Sequence, residues 1–88
     1  MLSVRYTSQF KKDYKTAVKQ GRDIAKMIFV IETLLKEGKL PPKFIDHKLI
    51  GVSKNIRECH IAPDWLLIYR LSEGCLELIR TGTHSDLF

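Results

Sequence analysis

The sequence predicts a single α+β domain spanning residues 1–88, in the order β-α-α-β-β-β, with two N-terminal helices packed on an antiparallel sheet. Three observations carry that prediction. The first half holds two runs of apolar residues at helical spacing, separated by Gly21. The second half holds three short runs rich in branched and aromatic residues, "IRECHI", "WLLIYRL" and "CLELIRT". The triplets between them, "APD" and "SEG", are turn formers. A chain of 88 residues has room for one modest core, and 44% hydrophobic residues is the content of a folded globular protein.

Taken in order, "LSVRY" alternates apolar and polar residues and reads as a first strand. Ser8 then caps a helix carrying Phe10, Tyr14, Ala17 and Val18, with Gly21 as its stop. Asp23 caps a second, in which Ile24, Met27, Ile28, Ile31, Leu34 and Leu35 form one wide stripe before Gly38. Residues 39–54 contain paired prolines and a glycine with no sustained period, and read as an ordered loop. The three later strands follow one another through tight turns, which makes them antiparallel neighbours. One sheet face must bury the helical stripes, leaving the other for function. Alternation puts Glu58 and His60 on one face and Arg57, Cys59 and Ile61 on the other.

Fifteen Lys and Arg against ten Asp and Glu give a net charge of +5, which favours an anionic partner, either nucleic acid or an acidic protein segment. The N-terminus lacks an apolar run of the secretory kind and "MIFVI" is too short to cross a bilayer, so no membrane association and a cytoplasmic location are expected. Cys59 and Cys75 have no CxxC spacing and read as reduced, partly buried small residues.

Core, caps and turns leave a polar and aromatic remainder: Asp46, His47, Arg57, Glu58, His60, Asp64, Trp65, Arg80, His84, Asp86 and Phe88. This set suits cleavage of RNA by its own 2′-hydroxyl. That reaction needs a base for the hydroxyl proton, an acid for the leaving 5′-oxygen and a cation for the charge gathering on phosphorus. Histidine serves both proton transfers because it ordinarily titrates near neutrality. Arginine pairs its planar fork with phosphate oxygens and keeps its charge. No metal or cofactor is required. Plainer readings stand beside this one. A histidine on a strand or loop is commonly solvated, Trp65 can be core or a base-stacking platform, and Phe88 can pack down the tail. Lys11, Lys15 and Lys19 fall on one helical side and can be a solvated face. A zinc site from His47, His60 and His84 lacks any HxxxH, HxH or CxxC pair in support. A non-catalytic basic module that binds an acidic protein or RNA is the rival class.

Together, "DHKLIG", "RECHIAPDWLLIY" and "RTGTHSDLF" resemble the YafQ-type branch of the RelE/ParE superfamily of bacterial toxins, and element order and length agree over the whole chain. The resemblance implies two N-terminal helices on an antiparallel sheet. It also implies an endoribonuclease that cuts messenger RNA in the ribosomal A site, leaving a 2′,3′-cyclic phosphate, and a cognate antitoxin that covers it. His47, His60, Asp64, Arg80 and His84 match the family's active-site positions, and Trp65 and Phe88 its aromatic ones. Glu58 stands where the best-known member type has aspartate, and is placed with the residues that contact RNA. On this resemblance His60 and His84 transfer protons, and Arg80 neutralises the scissile phosphate. Asp64 and His47 orient the substrate, tune those histidines or share in proton transfer. Trp65 and Phe88 contact bases or the ribosome, and Lys11, Lys15 and Lys19 grip ribosomal RNA. The superfamily also holds toxins that act on gyrase, so the fold alone does not select the nuclease.

Overall fold

In a computed structural model, which describes residues 2–49 and 55–88, the chain folds as strand β1 (Ser3–Tyr6), helices α1 (Ser8–Lys19) and α2 (Ile24–Glu37), and a 3-10 turn (Pro42–Phe44). Strands β2 (His47–Lys48), β3 (Ile56–Ala62), β4 (Trp65–Ser72) and β5 (Cys75–Gly82) follow, and a short helix α3 (His84–Leu87) closes it. The expected α+β class and all six expected elements are present. The expected loop over 39–54 contains the two-residue β2, and its part from 50 to 54 lies outside the described residues. Beyond the last strand the terminal segment forms the helical turn α3, which the sequence pattern did not predict.

The five strands run in the order β1-β5-β4-β3-β2. The β2–β3, β3–β4 and β4–β5 pairings are antiparallel as expected, whereas β1 lies parallel to β5. The helices follow β1, carry the chain across the sheet and return it for the later strands, so β5 can enter between β1 and β4.

The core lies between the helices and one sheet face. Phe10, Ala17, Met27, Val30 and Leu34 from the helices meet Cys59, Ile61, Trp65, Leu67, Tyr69, Leu76 and Leu78 from the strands. Burying each large apolar side chain contributes about 1.5–3 kcal/mol. Helix α1 starts one residue earlier than expected in its cap: Thr7, and not Ser8, accepts a hydrogen bond from the Phe10 N–H at 2.9 Å. Asp23 sits at the N-cap of α2 without a side-chain cap bond, and Gly38 ends that helix in the left-handed conformation at φ 70°. Cys59 and Cys75 are both free, as expected.

Two irregularities set the opposite face. Ile61 has no partner in β4, and Ile79 is passed over between the pairs Tyr69–Leu78 and Ile68–Arg80. The second bulge decides where Arg80 goes. Leu76 and Leu78 face the core, and unbroken alternation would turn Arg80 the same way; the extra residue moves it opposite Ile68, away from the core. The Ile79 carbonyl accepts a hydrogen bond from the Thr7 hydroxyl at 2.7 Å, which ties the bulge to the start of α1.

Candidate active site

Directly paired residues share a sheet face, so the register places His47, Glu58, Ile68 and Arg80 in one row across four strands. Two residues along lies a second row of His60, Leu66 and Gly82. With strands about 4.8 Å apart, the first row spans roughly 14 Å. Residues far apart in sequence thus converge on the face that the core does not use. Leu66 and Ile68, fully and nearly fully buried, give the site a rigid apolar floor.

Helix α3 brings His84 onto this face. Thr83 and Asp86 form a capping box, each side chain bonding the other's backbone N–H at 3.1 Å. Gly82 lets the turn lie close: a Cβ there would stand 3.1 Å from the Asp86 Cβ. Asp64, at the β3–β4 turn, accepts from the His84 backbone N–H at 3.2 Å and meets the ring Nδ1 at 2.9 Å through the same oxygen. The His84 side-chain and backbone hydrogen bonds hold the Asp64 carboxyl below its ordinary titration range. With Nδ1 turned to the carboxylate, the His84 Nε2 is the atom left for substrate. The His60 and His84 rings lie 5.8 Å apart, edge to face at 65°. His60 makes no side-chain hydrogen bond among the described residues, so both its ring nitrogens are available.

Three further basic side chains, His47, Arg57 and Arg80, are each held by a carboxylate. His47 places Nε2 3.2 Å from Glu58 Oε2 and Nδ1 3.3 Å from the Lys48 carbonyl, so both ring nitrogens are engaged. Arg57 Nε donates to Asp46 at 3.0 Å and anchors the residue just before His47. Arg80 leans from β5 to α1, where its Nε and Nη2 donate to the two oxygens of Asp13 at 3.1 and 3.2 Å. The Thr81 N–H donates to the same carboxylate at 3.2 Å. Burial pushes the Asp13 carboxyl up, but the bonds from Arg80, Gln9 and Thr81 outweigh it and leave it below its ordinary value. The Asp13 bonds raise Arg80 above its ordinary value in turn. One edge of the Arg80 fork is occupied, and its Nη1 side remains for a phosphate.

Residues 2–88 match the family described as a bacterial toxin of type II toxin–antitoxin system, YafQ. The chain belongs to the YafQ toxin family. It is 40% identical over 86 residues to the mRNA interferase toxin YafQ of Escherichia coli K12, covering 97% of this chain and 94% of that one. Its fold matches a chain in the crystal structure of the E. coli DinJ–YafQ complex with a TM-score of 0.94 at 38% identity, covering 100% of this chain and 99% of that one. A metal-bound toxin from Helicobacter pylori is 42% identical with a TM-score of 0.93, each chain covered in full. In this chain no group of three or more His, Cys, Asp or Glu side chains is gathered to hold a metal ion, among the described residues.

Against this YafQ fold, the expected site residues divide. His60, Asp64 and His84 are in mutual reach, and His47 and Arg80 share their face. Three expectations need correction. Trp65 is 2% exposed in the core and offers no face to a base, because β4 begins with it on the helix side. Glu58 is 6% exposed, too buried to reach RNA, and acts on His47 instead. Phe88, 68% exposed, does not pin the tail; the capping box and Asp64 do. Lys11, Lys15 and Lys19 are exposed along α1, and no measured contact joins them to the histidines. No helix is long and apolar enough to cross a membrane among the described residues. Two positions escaped the sequence reading. Asp13 carries only the signal of its place on the apolar side of α1, and nothing local points to its partner, which lies 67 residues on. Thr83 did have a local signal, the T-x-x-D spacing of a capping box.

Proposed function

We propose that this YafQ-family toxin is an endoribonuclease that cuts messenger RNA on the ribosome and so stops translation. The observation that carries the reading is the His60–His84 pair, 5.8 Å apart, with one ring oriented by Asp64. The mRNA interferase named above, 40% identical, supports it.

One imidazole takes the proton of the ribose 2′-hydroxyl, whose oxygen attacks the adjacent phosphorus; the other protonates the departing 5′-oxygen. The products are a 2′,3′-cyclic phosphate and a 5′-hydroxyl end. Asp64 holds His84 with Nε2 toward the phosphate. Arg80, kept in place by Asp13, neutralises the phosphorane-like charge, a contribution typically worth about a hundred- to a thousand-fold in rate. His47, with both ring nitrogens engaged by Glu58 and the Lys48 carbonyl, orients the substrate rather than moving protons. Phe88 contacts the message or the ribosome, and the α1 lysines contact ribosomal RNA. The ribosome supplies the remaining substrate positioning. The protein acts in the cytoplasm, where a cognate antitoxin restrains it; the DinJ–YafQ complex of the relative supports that partner class.

Added to a translation extract, the protein is expected to produce new message 5′ ends, His84→Ala to abolish them with the melting curve unchanged, and Arg80→Ala to slow their appearance about a hundred- to a thousand-fold with a fall in Tm of several degrees from the lost Asp13 pair. Intact transcripts at excess wild-type protein would overturn the reading. Equal growth arrest by wild type and His84→Ala would point to a binding module instead.

A further inference from the structure

Beside His60, on the flank away from Arg80, lies a hollow of about 810 Å³, within the usual range of ligand sites. It is lined chiefly by Lys26 and Phe29 of α2, Lys43, Phe44 and Ile45 around the 3-10 turn, and His60. Two of these are apolar side chains left to solvent, Phe29 at 55% exposure and Ile45 at 56%. Ile45 is also held in the left-handed region at φ 50°, ψ 48°, a conformation a β-branched residue adopts only under constraint from its surroundings. Such strain gathers at functional sites. The Phe29 and Phe44 rings lie 6.2 Å apart, and the Lys43 ammonium sits 5.2 Å above Phe44. The lining contains two lysines and no carboxylate.

We propose that this hollow seats a nucleobase: that of one of the two nucleotides flanking the cleaved bond. The base stacks on Phe29 over the Phe44–Ile45 floor, while Lys26 and Lys43 meet the phosphates on either side of it. The inference rests on the nuclease reading above and adds a substrate subsite to it. A single strand of RNA offers what this lining lacks, a flat π face with anionic groups at regular spacing. An apolar peptide segment would fill the hollow but leave both ammonium groups without a partner. Continuity with His60 places any occupant next to the reacting phosphate. The subsite therefore acts on which codon is cut, since the base it holds is adjacent to the break.

The test uses ribosomes programmed with synthetic messages in which the nucleotide on one side of the cut, then the other, is made abasic. Stacking on an aromatic side chain is typically worth about 1–3 kcal/mol, or roughly 5- to 150-fold. Wild type is expected to slow by at least about fivefold on one of the two abasic messages. Phe29→Ala should slow to a similar degree on the natural message and lose its sensitivity to the missing base. Lys26→Ala, at an exposed position, should slow cutting of natural and abasic messages alike while keeping that sensitivity. Wild type cutting natural and abasic messages at the same rate would overturn the base site alone. Wild type cutting none of them would overturn the nuclease reading and this proposal with it. Phe29→Ala that keeps the full abasic penalty, or that weakens only antitoxin binding, would assign the hollow elsewhere and overturn the proposal.

Discussion

Asp13→Asn removes one charge from the clamp on Arg80 and keeps its shape. The Asp13 side chain is 10% exposed and the Arg80 side chain 35%. Four hydrogen bonds converge on the carboxylate, two from Arg80, one from the Thr81 N–H and one from the Gln9 side-chain amide. A hydrogen bond to a charged group contributes about 1.5–3 kcal/mol when desolvated. Arg80 can return to water, so its share falls toward the about 0.5–1 kcal/mol of an exposed pair. The asparagine carbonyl still accepts from Thr81. The expected loss is about 1–2 kcal/mol, a fall in Tm of roughly 5–10 °C for a domain of this size. The native carboxyl titrates below its ordinary 3.8, so it releases its proton more readily than the unfolded chain does. Its stabilisation is therefore complete above the unfolded value and fades as pH falls through the lower native one. Melting curves of both proteins from neutral pH into acid should show a gap that is flat above about pH 5 and closes below it. Cleavage should slow in Asp13→Asn, with no further loss when Asp13→Asn is added to Arg80→Ala. A Tm equal to wild type at neutral pH, a gap that widens in acid, or an undiminished Asp13 effect without Arg80 would refute the reasoning.

Trp65→Ala should cost about 3–5 kcal/mol and leave little folded protein, by thermal melting, whereas a base-stacking role would leave Tm untouched. Thr83→Ala removes the cap of α3, worth about 1 kcal/mol, and because that turn carries His84, cutting should fall more than Tm does, with Thr83→Ser restoring both. Gly82→Ala puts a methyl group 3.1 Å from the Asp86 Cβ, so α3 must shift by a few tenths of an ångström; single-turnover cleavage should slow while Tm changes by only a few degrees.

The helices and the three long strands were legible because each carries enough turns or alternations to show its period. β2 was not, because His47 and Lys48 become a strand only by pairing with Glu58 and Arg57, a non-local event. The parallel partner of β1 is equally invisible in "LSVRY". For the site, residue types were more legible than placement. The histidines and Arg80 stood out by chemistry, yet plain alternation from Leu76 and Leu78 would send Arg80 into the core, and only the bulge at Ile79 reverses it. Trp65 shows the converse failure, since an indole at a strand's start can be core or platform until the helices are in place. Asp13 looks like an ordinary helix-surface acid, although its spacing from Phe10 and Ala17 puts it on the buried side of α1.

The position of β5 bears on the timing of synthesis. This strand is the last in chain order, yet it lies between β1 and β4, and α3 docks only after it. A nascent chain that has exposed everything up to β4 therefore holds His47 and His60 but neither Arg80 nor His84, and its first strand has no neighbour to zip against. Under the proposed nuclease reading, such a growing polypeptide lacks two of the groups that cutting needs until β5 is in the sheet and α3 has docked.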